Sequence, residues 1–225
     1  MNTEKIIHEA WSELKRHHEQ WWERSPPGLG RCGFDEPFTQ GKISPGQPTV
    51  YILGFNAGEP KDTTREPSQT PSATNWVRRC SDVQMAAGTD GFISIERCYW
   101  GSPNVTELRK RVASRRELRG LLTSHAAANT ALFLRYPPLL VWVPGVSTYH
   151  QEAIEDYELG QKEDERFEES KGRRNTVWRL HRNAQGVPFL FTWHPSARLS
   201  CGKWRLIQAK VTELAATSRR RMKSG

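Results

Sequence analysis

The chain has few cysteines. There are four in 225 residues, Cys32, Cys80, Cys98 and Cys201, widely spaced and without a CxxC pair. That spacing disfavours a zinc knuckle and a disulfide framework, and leaves reduced thiols as the expectation. An iron–sulfur cluster would have to draw one ligand set from the whole chain. Long apolar runs are missing too. Stretches such as Leu139 to Val143 fall far short of the roughly 20 residues that a helix needs to cross a bilayer, and the first residues are charged rather than signal-like. These absences predict a soluble, cytoplasmic protein without a membrane partner. There is no Walker loop, dinucleotide fingerprint or Ser-His-Asp arrangement, which removes several large enzyme classes. His17 and His18 join His8 in one helical stretch, but adjacent helical residues point different ways, so no metal is assigned. Internal repeats are absent, and low-complexity sequence is confined to a short basic tail at 218–225.

Positive charge, by contrast, is in excess. The formal net charge is +8, although residues 152 to 169 hold nine acids against Lys162 and Arg166, a local balance of −7 that leaves +15 for the rest. Such a surplus suits a polyanionic partner, and "ELRKRVASRRELR" and "SRRRMKSG" concentrate part of it. Nucleic acid leads as the partner class, although basic helices that are merely solvated would give the same charge. The acidic stretch at 152–170 reads as an exposed helix or a mobile insertion, set away from any face that meets a phosphate backbone.

Hydrophobic spacing organises the remainder. Ile7, Trp11, Leu14, His18 and Trp21 recur three or four apart, as on an amphipathic helix, and a Pro/Gly-rich loop follows to about Gln47, so 1–47 reads as an N-terminal helix and loop. "TVYILG", "GFISIERCYWGSP", "LLVWVPG" and "VPFLFTW" read as four strands, Glu107 to Leu122 as a helix, and Trp204, Ile207, Val211 and Leu214 as one face of a last helix. Strands alternating with helices predict an α/β fold: a single domain over 1–225, built as a three-layer α/β/α sandwich on a four-stranded, mainly parallel sheet. A monomer is expected.

Two strand ends carry the chemistry. "TVYILG" runs into "FNAGEP", and "VPFLFTW" breaks into "HPSAR", where Pro195 stops the strand and holds His194 at its carboxyl end. Open α/β sheets bind ligands at carboxyl ends. Together "GFNAG" and "HPSAR", in this order and separation, resemble the paired motifs of the uracil-DNA glycosylase superfamily across residues 49 to 205. The closest look is to its single-strand-selective monofunctional type, which also has Asn in the first motif and Arg shortly after His-Pro-Ser. The resemblance implies an enzyme, without metal or cofactor, that takes a base out of single- or double-stranded DNA and breaks its glycosidic bond.

On that resemblance Asn56 holds the hydrolytic water near the anomeric carbon. Its amide can orient water but cannot take up a proton as a carboxylate could; Asn in a turn also commonly bonds its own backbone. His194 donates a hydrogen bond to the oxygen of the leaving base as charge develops there, and Ser196 holds a flanking phosphate. Arg198 falls at the wedge position, with Leu199 as the neighbouring alternative. Phe55 and Gly58 belong to the base pocket. Gly58 stands where some relatives carry a bulky aromatic, so its presence implies room for a 5-substituted pyrimidine. Ala57 replaces the proline usual in that motif. Glu59 adjoins the loop as a possible substitute carboxylate or an exposed loop residue. Arg97 occupies the place where many relatives carry an Asn that reads uracil, with Glu96, Tyr99 and Trp100 beside it. Because Arg offers only donors, it cannot reproduce the donor-plus-acceptor match that identifies uracil, and the identity of the base stays open. Trp76 or Tyr99 could stack on a flipped base or belong to the core.

The expectation is therefore a monofunctional glycosylase for a modified or damaged pyrimidine. The substrate is either a hydroxymethylated or glucosylated cytosine of viral DNA, excised in defence, or a uracil-type lesion, excised in repair. Two alternatives stay open: a non-catalytic reader of modified DNA, fed by Asn56, Ala57 and Arg97, and a basic scaffold that shares only the fold.

Overall fold

The computed structural model describes residues 38–44, 46–58, 71–102, 110, 115–145, 150–170, 173–193 and 200–224. Its elements in chain order are β1 (Phe38–Gly41), β2 (Thr49–Gly58), α1 (Pro71–Ala87), β3 (Gly91–Ser102), α2 (Arg115–Arg135), β4 (Pro138–Pro144), α3 (His150–Asp156), β5 (Asp164–Ser170), β6 (Arg173–Arg182), β7 (Pro188–Thr192) and α4 (Cys201–Ser224). The N-terminal stretch read as a helix lies outside the described residues.

The strands form one seven-stranded sheet in the order β1-β3-β2-β4-β7-β6-β5. The α/β class is as expected, but the sheet is mixed rather than four-stranded and mainly parallel. The four expected strands β3, β2, β4 and β7 are its parallel centre, and β1, β6 and β5 extend it with antiparallel pairings. Central strands are apolar without interruption because both faces are covered: Val50 to Leu53 of β2 and all of β4 and β7 are buried. Side chains alternate across the sheet into two cores. Tyr51, Leu53, Ile93, Ile95, Val141 and Phe191 pack with α2 and α3. Val50, Ile52, Phe92, Trp142 and Leu190 pack with α1 and α4. Trp76 belongs to the second, its ring stacked 6.2 Å from that of Trp142.

The last helix is as its spacing predicts, with Trp204, Ile207, Val211 and Leu214 buried. Its final turns take in the basic tail. Arg219 donates to the Ala87 and Gly88 carbonyls at 2.5 and 2.7 Å, just where α1 ends in a left-handed Gly88 with the Gly88 N–H to Met85 and Thr89 N–H to Gln84 bonds of a Schellman cap. The middle helix runs on to Arg135, past its expected end at Leu122, because Ala126, Leu132 and Phe133 continue its buried face. Of its expected first turns from Glu107, Lys110 is described and is helical, and the neighbouring residues lie outside the described ones.

The acidic stretch is neither one helix nor a loose insertion; it supplies α3, a turn and the edge strand β5. β5 pairs in register with the Arg-rich β6, Glu165 opposite Arg179 and Asp164 opposite Leu180. Its carboxylates meet Arg179, Lys210 and Lys203. Burial disfavours the charge of Asp164 and Glu165, but hydrogen bonds from Lys210 and Trp178 to the first, and from Lys162 and Arg179 to the second, outweigh it and hold both below the usual carboxylate range.

One glycine is required by space. Gly41 ends β1 with a φ of +78°, and a Cβ there would collide with the Asp90 carbonyl oxygen. Gly41→Ala is expected to lower the unfolding free energy by about 1–3 kcal/mol, the usual cost of a side chain in left-handed backbone with no room to relax. Urea denaturation checks this through a lower midpoint at unchanged slope.

Candidate functional site

The order of the parallel strands reverses between β2 and β4, since the chain steps from β2 to β3 on one side and then to β4 and β7 on the other. Crevices for ligands form outside the carboxyl ends of strands at such a switch point. One lies here. Leu53, Gly54 and Phe55 of β2, Arg97 of β3, Val143 and Pro144 of β4 and Phe191 of β7 line it. Its volume of about 20 Å³ is that of a single water and far below that of a nucleobase.

The first motif ends β2 at this edge. The Asn56 backbone pairs in register with Cys98, and the pairing shifts between Asn56 and Gly58, a bulge of the kind that re-aims residues beside active sites. The second motif begins where β7 stops, at Thr192, whose hydroxyl accepts the buried Trp142 indole N–H at 2.8 Å. β2 and β7 run parallel to β4 on its two sides, with Ile52, Trp142 and Leu190 level, so the two strands are about 10 Å apart across the sheet, two strand spacings, and β2 runs on to Gly58 beyond the level at which β7 ends. His194, Ser196 and Arg198 lie outside the described residues, as does Glu59. Gly58, Tyr99 and Trp100 belong to the ends of β2 and β3.

Arg97 is where the side-chain geometry is fullest. It is 3 % exposed. Its Nε donates to Asp156 and its Nη1 to Glu152, each at 2.5 Å, while the guanidinium lies over the Phe55 ring, 5.1 Å from the centroid. Burial works against its charge, but the hydrogen bonds and charges of Asp156 and then Glu152 outweigh burial and raise its pKa. The guanidinium is thus permanently charged, with two of its nitrogens committed to α3, and it holds Phe55 against the crevice.

Behind it, the fully buried Asn129 amide of α2 donates to the Glu96 carbonyl and the Tyr157 hydroxyl, both at 2.9 Å. Burial pushes the Tyr157 hydroxyl well up. Glu152, Asp156 and Asn129 were not legible as site residues. Glu152 and Asp156 are four apart and so share one face of a helix, a signal hidden inside a block of nine acids. Among the described residues, no three His, Cys, Asp or Glu side chains are grouped to hold a metal ion, and no helix is long and apolar enough to cross a membrane. Comparison with models of known protein families gives no match, and neither does comparison with curated proteins.

Proposed function

We propose that this chain is a monofunctional DNA glycosylase that everts a modified or damaged pyrimidine and hydrolyses its glycosidic bond, leaving an abasic site. The observation that carries the reading is the arrangement of β2 and β7 on either side of β4, with parallel carboxyl ends at the switch point. In this reading Asn56, near the end of β2, and the residues that follow β7 address the two sides of one C–N bond. In this scheme Asn56 orients a water toward C1′, and His194 donates a hydrogen bond to the base as it departs with the bonding electrons. Ser196 grips a phosphate, and Arg198 fills the vacated stack. Neither motif carries a lysine, so no Schiff base forms and the enzyme itself cuts no strand.

The base is a 5-substituted cytosine rather than uracil. Arg97 has only donors, and two of its nitrogens serve Asp156 and Glu152, so it does not offer the donor-plus-acceptor edge that uracil requires. Its contribution is to fix Phe55 beneath the base. Defence against viruses with altered DNA is the role that suits such a substrate.

The test is incubation with DNA containing uracil, hydroxymethylcytosine or glucosylated hydroxymethylcytosine, followed by hot alkali and mass spectrometry of the released base. Free modified cytosine with alkali-labile strands is the expected outcome. Tight retention of modified DNA without any free base would replace this reading with the non-catalytic reader.

A further inference from the structure

We infer that the Glu96 carboxylate is the proton acceptor for the water that attacks C1′. This rests on the glycosylase reading and fills a gap in it. An amide at position 56 orients water but takes no proton, and Glu96 is a carboxylate on the neighbouring strand that no other part of the scheme uses. The step balances. A water oxygen bonds to C1′, the C1′–N1 bond breaks with its electron pair going to the base, and the proton of the water passes to Glu96 while His194 supports the charge on the base.

Three observations carry the inference. In register, Glu96 lies opposite Gly54, and the next pair on the same pleat is Asn56 opposite Cys98. The carboxylate is therefore one pair away from the position that orients water. Second, the carboxylate lies across the β2 backbone itself. A Cβ on Gly54 would collide with both carboxylate oxygens of Glu96, so the glycine opens the space in which the carboxylate reaches β2. A glycine inside a strand often marks such a close approach. Third, the base of the side chain is held, because the buried Asn129 amide donates to the Glu96 carbonyl.

The surroundings suit a proton acceptor. Glu96 falls on the same alternating face as Phe92, which packs with α1, and its Oε2 is buried. From α1 the nearby titratable group is the Cys80 thiol, pushed up first by burial and then by the charge of Glu96, which keeps it neutral. From the other side of the sheet, Tyr157 is likewise held protonated, with Asp156 and Arg97 the further charges in its surroundings. Neither hydroxyl nor thiol competes for the proton near neutral pH.

Single-turnover release of free base, followed from pH 4 to 8 with the full chain and its best substrate, tests the inference. The wild-type rate should fall on the acid side as one group protonates. Glu96→Gln should be slower by at least about 100-fold, lose that acid limb, and still bind the DNA and unfold at the same temperature. Gly54→Ala, which moves the carboxylate without removing it, should slow release while the acid limb persists. Wild-type-like rate and acid limb in Glu96→Gln would overturn the role of Glu96 and leave the glycosylase reading standing. No free base from the wild-type chain on any substrate would overturn both.

Discussion

Replacement of His194 by alanine is expected to slow single-turnover base release by about 100- to 1,000-fold, the usual cost of removing one preorganised donor from developing negative charge. DNA affinity should change little, since phosphate contacts supply most of it. Asn56→Ala should give a similar loss for a different reason, since it removes the orienting amide but leaves the leaving base supported. The two can be told apart with substrates whose base is a better leaving group. A more acidic base should recover much of the His194→Ala rate, because less charge then needs support, and little of the Asn56→Ala rate. Filter binding alongside mass spectrometry of the free base reads both quantities. A fall in binding equal to the fall in release would show that neither residue acts on the chemical step.

Arg97→Leu should have the largest effect on stability. It would leave Asp156, 9 % exposed in its side chain, facing an apolar replacement without its cation, and Glu152 without its 2.5 Å partner. Breaking a buried pair by removing one member costs about 3–5 kcal/mol. In a domain of this size each kcal/mol shifts the melting temperature by about 2–4 °C. A drop on the order of 10 °C in a thermal melt is therefore expected. The triple variant Arg97→Leu, Glu152→Gln, Asp156→Asn should recover a large part, because it removes the stranded charges as well. Arg97→Lys should fall between, since a point charge cannot bridge two carboxylates as a planar fork does. Equal melting of the single and triple variants would assign the loss to packing over Phe55 instead.

How much of this was legible in the sequence depended on burial. β2, β3, β4 and β7 are covered on both faces, and unbroken apolar runs such as "LLVWVP" announce that. The strands that were missed lie at the margin. β5 is "DERFEES" and β6 is "RRNTVWRLHR", and their charges pair across strands instead of marking one dry face, so periodicity has little to report. α1 was missed because, among its described residues, the buried members of the core are the small or short Cys80, Val83 and Ala87, with Trp76 and Ala86 packed against them, which makes a weak periodic signal. At the site, the apolar run puts Asn56 in a loop just past the strand, whereas β2 runs on through it to Gly58, because polar and small residues at a strand's end carry no apolar signal. The partners of Arg97 were not readable, because they come from 55 and 59 residues away and proximity of that kind is made by the topology alone. Gly54 was an overlooked clue: it breaks the run "TVYIL" just where Glu96 crosses.

The pairing of β5 with β6 and α4 changes what a distant charge would feel. Glu163 meets Arg182, Asp164 meets Lys210, Glu165 meets Arg179 and Lys162, and Glu168 meets Lys203. Each such couple is a short dipole, far smaller than the screening distance of about 10 Å in 0.1 M salt, so from beyond that range it looks nearly neutral. The acidic segment therefore acts as ballast for the arginines beside it and not as a repelling arm. On the proposed function, long-range attraction to DNA would be set by cations elsewhere on the surface, and raising the ionic strength should weaken that attraction while leaving the sheet margin intact.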